Sequence, residues 1–314
     1  MKIFLSNLNE NWIVDRLKSE WEQYNSEITT NKIRSADIVW IISPWTWKKI
    51  PLKHLKNKIV VCTIHHLEDS DFSEKGLKEF YERDKYVDLY HVISENTKIQ
   101  LQKISRKETV SIPFWLNQKI FFNMKNKEAL RKKYNIPINK FVIGSFQRDT
   151  EGNDLKSPKL IKGPDRLIKI YEYFYEKNKD ILILLSGTRR NYIIDQLNKR
   201  KINFQYFEMV DFKTLNELYN ILDLYIVASR VEGGPQAILE CAATKTPIIS
   251  TDVGLARAIL PTESIFNMSN FKNAEPKIEY PFQLASKNFF IPKGFDKFVE
   301  LFKNVYEKKN IVNS

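Results

Sequence analysis

A chain of 314 residues is long enough for two ordinary domains, and at 43% hydrophobic and 28% charged it has the composition of a globular protein, not of a disordered tail or a fibre. Two cysteines, Cys62 and Cys241, lie in separate apolar segments, which excludes a disulfide framework or a cysteine zinc site and suits reduced, buried thiols in a cytoplasmic setting. No apolar run is long enough to span a bilayer or, at the first residues, to serve as a signal peptide. The net charge of +12 suits nucleic acid, an anionic membrane surface or a phosphorylated substrate, and it is equally the product of lysine-rich, solvated helix faces.

In chain order, residues 3–5 read as a short strand and 12–24 as a helix with apolar positions at Ile13, Leu17, Trp21 and Tyr24. Between them, 7–12 hold none of the glycines expected of a phosphate-binding loop. Strands are expected at 37–43, 58–64 and 89–93, with a loop at Pro44-Trp45-Thr46-Trp47. The third strand ends in Thr63-Ile64-His65-His66. Asp69-Ser70-Asp71 has the spacing to share a hard cation, or to cap a helix beginning near Ser73. A helix running to Lys103 and a strand at 110–115 follow, and 113–121 form an aromatic connection. Strands alternating with helices predict a parallel sheet covered on both faces, with ligands at the carboxyl ends of its strands.

A basic helix at 127–134 precedes a second alternating series. Its strands are expected at 140–146, 181–187, 204–210, 222–228 and 247–250, with helices after Gly163-Pro164 and at 215–222. Arg148 stands just past the first of these strands, Lys162 just before a helix, and residues 150–161 separate them. Gly187 ends the next strand. The apolar run 222–228 leads through Glu232-Gly233-Gly234-Pro235-Gln236 into a helix carrying Glu240, so strand, loop, helix and strand form a βαβ unit. Two glycines allow close approach of a ligand to the backbone, and the helix start favours an anionic or hydroxyl-rich one. The turn Asp252-Val253-Gly254 lies near that site or is a plain strand-to-helix turn. Apolar positions at Phe295, Phe298, Leu301, Phe302 and Val305 mark a final helix.

The interval between Glu232 and Glu240 resembles the Glu-x7-Glu signature of family 4 glycosyltransferases, retaining enzymes of the GT-B fold. The resemblance implies that Glu232, with the backbone of Gly233, Gly234, Pro235 and Gln236, faces the donor sugar, and that Glu240 meets the ribose about two helical turns further on. It implies that Arg148 and Lys162 neutralise the donor diphosphate, that Gly187 contacts the nucleotide, and that His65 lies beside sugar and acceptor, with His66 its adjacent competitor. The usual loop of that family reads Glu-Gly-Phe-Gly-Leu-Pro, so the sugar stays open. The segment 150–161 is an insertion relative to the family, either a lid over the donor or a sign that Arg148 and Lys162 do not pair.

The expectation is therefore an α/β chain of the GT-B fold, two Rossmann-like doubly wound parallel-sheet domains facing each other across a cleft. Residues 1–125 form the acceptor-side domain, 126–290 the nucleotide-sugar domain, and 291–314 a helix crossing back to the first. The expected activity is metal-independent, retaining transfer of a hexose or related sugar from a nucleoside diphosphate donor to a hydroxyl of a glycan or lipid-linked acceptor. A UDP-sugar is the first choice of donor, with no other cofactor. No nucleic-acid partner is expected, and peripheral contact with an anionic membrane is open to the basic first half. The alternatives are a sugar-nucleotide epimerase or phosphorylase on the same fold, a non-catalytic nucleotide-sugar or scaffold protein, and a nucleic-acid binder.

Overall fold

The computed structural model describes residues 1–6 and 13–313, so the glycine-poor loop at 7–12 and the first residue of the expected helix lie outside it. By its internal contacts the chain divides into two units, Met1–Trp115 with Ile291–Ser314, and Leu116–Phe290. The first break falls at residue 115, ahead of the 125/126 boundary read from the sequence. The reason is local: Trp115 is fully buried among first-unit aromatics, whereas the N–H groups of Phe122 and Met124 donate to Asn216 and Asn220 of the second unit.

The first unit runs β1 (Ile3–Leu5), α1 (Ile13–Tyr24), β2 (Ile38–Ile41), α2 (Leu52–Asn57), β3 (Ile59–Ile64), α3 (Glu74–Asp84), β4 (Leu89–Val92), α4 (Glu95–Leu101) and β5 (Thr109–Ser111). All five strands are parallel in the order β1-β2-β3-β4-β5, and Thr29 bridges Ile3 in parallel. Since β2 holds the other side of β1, the chain leaves β1 first towards Thr29 and then returns to build β2 to β5 in the opposite direction, which makes the sheet doubly wound.

Period-two alternation sorts the side chains. Val39, Ile41, Val60, Cys62, Ile64, Tyr90 and Val92 pack with Leu55, Phe80 and Leu101 of α2, α3 and α4. On the opposite face Trp40 meets Trp21 of α1 and Phe298 and Phe302 of the last helix. The strand expected through residue 115 stops at Ser111, because Phe114 and Trp115 turn into this aromatic cluster.

The second unit continues with α5 (Lys127–Lys133), β6 (Phe141–Ser145), β7 (Thr150–Glu151), β8 (Ser157–Pro158), α6 (Pro164–Lys177), β9 (Ile181–Ser186), α7 (Asn191–Lys199), β10 (Phe204–Phe207), α8 (Phe212–Asn220), β11 (Leu224–Val227), α9 (Gln236–Thr244), β12 (Ile248–Thr251), α10 (Ala256–Ile259), β13 (Ile265–Phe266) and α11 (Glu279–Asn288). The final helix, α12 (Asp296–Asn313), belongs to the first unit.

Six parallel strands lie in the order β10-β9-β6-β11-β12-β13. Strand order reverses between β6 and β11, and a crevice outside the carboxyl ends of those two strands is where such sheets take ligands. Ile143, Ile183, Leu185, Ile226 and Ile249 form the centre of the core beneath, packed against Leu167, Ile170 and Tyr171 of α6. Cys62 and Cys241 are buried and unpaired. No helix among the described residues is long and apolar enough to cross a membrane.

Candidate active site

Between Arg148 and Lys162 the chain makes a hairpin of β7 and β8, so the insertion closes on itself. The Lys159 N–H donates to Asp149 O at 2.8 Å at its base, and residues 160–162 form a 3-10 turn ending on Gly163. Thirteen residues of sequence thus add little separation: Gln147 Nε2, next to Arg148, donates to Lys162 O at 2.8 Å.

Gly163 takes φ +64, and a Cβ there would lie 2.0 Å from Ala228 O, so only glycine lets this turn rest on the end of β11. The loop after β11 completes the junction, with the N–H groups of Arg230 and Val231 both donating to Ile161 O. A bidentate pair from Arg230 to Asp165, at 2.7 and 2.6 Å, adds a clasp on the outside. As a result Lys162 Nζ stands 2.7 Å from Glu232 Oε2, at the reversal point of the sheet.

Glu232 is held on both oxygens, since Ser229 Oγ donates to Oε1 at 3.0 Å, and its side chain is 9% exposed. Behind it, Gly233 is buried against the turn after β12: a Cβ on Gly254, at φ +50, would come within 2.6 Å of Gly233 O. The turn 252–254 therefore packs directly under the glycine loop. Pro235 precedes α9, whose first residue is Gln236, and the leading N–H groups of a helix have no carbonyl ahead of them. Gln236 Oε1 is itself buried and has no hydrogen-bond partner among the described residues.

Glu240 differs from expectation. Because α9 begins only at Gln236, it sits one turn into the helix, not two, and it is 6% exposed with Oε2 accepting from Tyr219 OH at 2.8 Å. Burial first, then the neighbouring Glu240, holds the Tyr219 phenol far above its usual range, so it stays a donor.

Arg148 is exposed, and its Nε donates to Thr150 O at 3.0 Å; no carboxylate among the described residues pairs with it. Gly187 follows β9 at φ +93, with its carbonyl accepting from Tyr206 OH at 2.9 Å. Sequence reasoning missed what ties these two loops together. Arg190 and Asp149, each fully buried, form an ion pair, and Arg190 also donates to Ser145 O and Ser186 O at the ends of β6 and β9. Asp149 accepts from Thr150 Oγ1 and from Ile193 N, and its N–H donates to Arg189 O. Burial raises the Asp149 carboxyl above its usual range against the pull of Arg190.

Residues 126–264 match the protein family described as glycosyl transferases group 1. No curated protein matches the chain in sequence. Among solved structures, Anabaena HepE in complex with UDP-glucose is similar with a TM-score of 0.75 at 12% identity, over 96% of this chain and 99% of that one. The sucrose-phosphate synthase of Thermosynechococcus elongatus follows the chain with a TM-score of 0.71 at 15% identity, over 96% of this chain and 81% of its own. A glycosyltransferase from Rickettsia africae gives 0.63 at 20% identity, over 96% and 84%. The fold is GT-B. Arg148, Lys162, Gly187 and the stretch from Glu232 to Glu240 all fall within the matched residues, whereas His65 falls outside them.

In this GT-B chain His65 follows β3 in the first unit and is 8% exposed. Its Nε2–H donates to Ile42 O at 2.8 Å, and its ring stacks on Phe114 with 5.9 Å between centroids. Burial lowers its pKa to about 4, so at neutral pH it is uncharged. His66 Nε2 lies 2.9 Å from Glu68 Oε1. The Asp69–Asp71 triplet forms a 3-10 turn in which Asp71 accepts the Glu68 N–H at 2.7 Å, while Ser73 accepts from Gly76 N to cap α3. Among the described residues, no three His, Cys, Asp or Glu side chains are grouped to hold a metal ion.

Proposed function

We propose that this chain is a family 4 glycosyltransferase that moves a hexose or related sugar, with retention, from a nucleoside diphosphate sugar to a hydroxyl acceptor. The observation that carries the reading is the Lys162–Glu232 pair at the reversal point of the second sheet, with Gln147, the residue before the exposed Arg148, donating to Lys162 O. A lysine paired with a carboxylate ahead of a glycine loop suits a ligand that is anionic at one end and hydroxyl-rich at the other. The family match over residues 126–264 supports sugar transfer, and the UDP-glucose complex of Anabaena HepE makes a UDP-sugar the first donor to try.

In this reading Lys162 and Arg148 neutralise the diphosphate as the glycosidic bond lengthens, which stabilises the leaving group by fixed charge. Glu232 and the backbone from Gly233 to Gln236 hold the sugar hydroxyls, and the carboxylate stabilises the positive charge of an oxocarbenium-like state. The leaving phosphate oxygen takes the acceptor proton on the same face, so that configuration is kept without a protein nucleophile. Gly187 gives the nucleotide a close backbone approach, and Glu240 meets the ribose through the carboxylate that Tyr219 holds. On the resemblance alone, we also propose that the neutral His65 lies beside sugar or acceptor. We further propose a cytoplasmic setting, a glycan or lipid-linked acceptor and peripheral contact with anionic lipid, supported by the net charge of +12.

Calorimetric titration with UDP, GDP, ADP and dTDP, without metal and then with magnesium, followed by turnover of the matching sugar nucleotides, tests the reading. Micromolar binding of one diphosphate and release of it from its sugar nucleotide are expected. Binding of none by folded protein would remove the proposal.

A further inference from the structure

We infer that Ser229 is a positioning residue of the transfer reaction: its hydroxyl keeps the Glu232 carboxylate in place once Lys162 exchanges it for the donor diphosphate. The inference rests on the sugar-transfer reading above and deepens it. Ser229 is fully buried just past β11. Three acceptors surround its Oγ, namely Glu232 Oε1 at 3.0 Å, Gln147 Oε1 at 3.4 Å and Lys162 O at 3.5 Å. A hydroxyl has one proton to give, and the shortest contact, which is also the charged one, takes it.

The position of that hydroxyl is fixed from behind. Thr251 Oγ1 donates to Ser229 O at 2.7 Å and Arg166 donates to the same carbonyl at 3.3 Å, so strand β12 and helix α6 both anchor the residue. Gln147 contributes on the near side by donating its amide to Lys162 O, which leaves its own oxygen turned towards Ser229.

Glu232 has the opposite character. It stands in a loop ahead of α9, on a side chain with three rotatable bonds, and among the described residues its side-chain hydrogen-bond partners are Lys162 on one oxygen and Ser229 on the other. A diphosphate carries more negative charge than one carboxylate and draws Lys162 to itself, after which Ser229 remains as the donor on Glu232. Orientation of that carboxylate against the sugar then depends on one buried hydroxyl.

The test has two arms. In turnover assays, Ser229→Ala is expected to lower kcat about 10- to 100-fold, the loss of one hydrogen bond to a charged group, with nucleoside diphosphate affinity unchanged within about threefold. Ser229→Thr, which keeps the hydroxyl, restores most of the rate. An unchanged kcat, or an equal loss of diphosphate affinity, would overturn the role. The second arm needs no substrate and so survives failure of the transferase reading, which would show as a wild-type protein that neither binds nor turns over any sugar nucleotide. Crystal structures of ligand-free Lys162→Met, with and without Ser229→Ala, are expected to show Glu232 held by Ser229 in the first and turned away in the second. Glu232 placed alike in both would overturn the inference.

Discussion

Lys162 Nζ and Glu232 Oε2 stand 2.7 Å apart across seventy positions of sequence, on a side chain 20% exposed and another 9% exposed. Such a half-buried pair satisfies both charges while neither is engaged by a ligand, and it places a cation where a phosphate is expected next to a carboxylate where a sugar is expected. The two therefore separate under mutation. Lys162→Ala is expected to weaken nucleoside diphosphate binding about 10- to 100-fold, the worth of a charge-assisted contact. Glu232→Gln keeps that affinity within about threefold and abolishes turnover. Calorimetry against the diphosphate, paired with a sugar-nucleotide turnover assay, checks both; equal losses of affinity in the two variants would break the division of labour.

Gly163 is the pivot that makes this pair possible. At φ +64 any other residue is strained, and a Cβ would collide with a backbone carbonyl, Ala228 O, which cannot swing aside as a side chain does. Gly163→Ala is expected to cost about 2–4 kcal/mol and to lower the melting temperature of the second unit by about 4–10 °C. A change under about 1 °C in differential scanning calorimetry would show that the turn relaxes without cost.

The fold was legible where parallel strands, buried on both faces, write themselves as continuous apolar runs: residues 38–41, 59–64, 181–186 and 224–227 are all fully buried strands. The glycine loop and its helix were legible because Gly233, Gly234 and Pro235 are short-range signals. Other features were hidden for a physical reason in each case. The hairpin at 150–158 has strands of two residues, below any periodicity, with a polar, glycine-containing tip. The Asp149–Arg190 pair joins residues 41 positions apart and exists only because β6 and β9 are neighbours, a fact of the sheet and not of either segment. The depth of Glu240 depends on where α9 starts, and helix boundaries are the least readable part of a pattern.

The buried ion pair gives a prediction of its own. Replacing Arg190 by methionine leaves the Asp149 carboxylate fully buried with its charge partner gone, and removing one member of such a pair costs about 3–5 kcal/mol. Asp149→Asn in the same chain takes away the orphaned charge, so the double variant is expected to recover a third or more of that loss. Urea unfolding of the single and double variants measures it. Additive losses in the double variant would mean that the two residues act independently.

Acidity should act on the first unit through its two buried histidines. His91 accepts from Thr63 Oγ1 on Nδ1 at 2.9 Å, a hydroxyl that itself accepts from Trp40 Nε1–H, and donates from Nε2 to Ile112 O at 2.7 Å. Burial lowers its pKa to about 3, and that of His65 to about 4. Both values lie below the unfolded value of 6.5, so the unfolded chain binds more protons across the interval between them. Stability contributed by the neutral rings is accordingly complete above pH 6.5 and is lost as pH falls towards 4 and then 3. Two such groups remove about 2–4 kcal/mol between pH 6.5 and 5. All six tryptophans precede Leu116, so their emission reports this unit and not the other. Urea unfolding followed by tryptophan emission is expected to give a steep loss of stability over that range, and His91→Gln, which carries no titrating ring, is expected to halve the slope even though it starts from a lower stability. An identical slope in the variant would show that His91 is not the group that gains the proton.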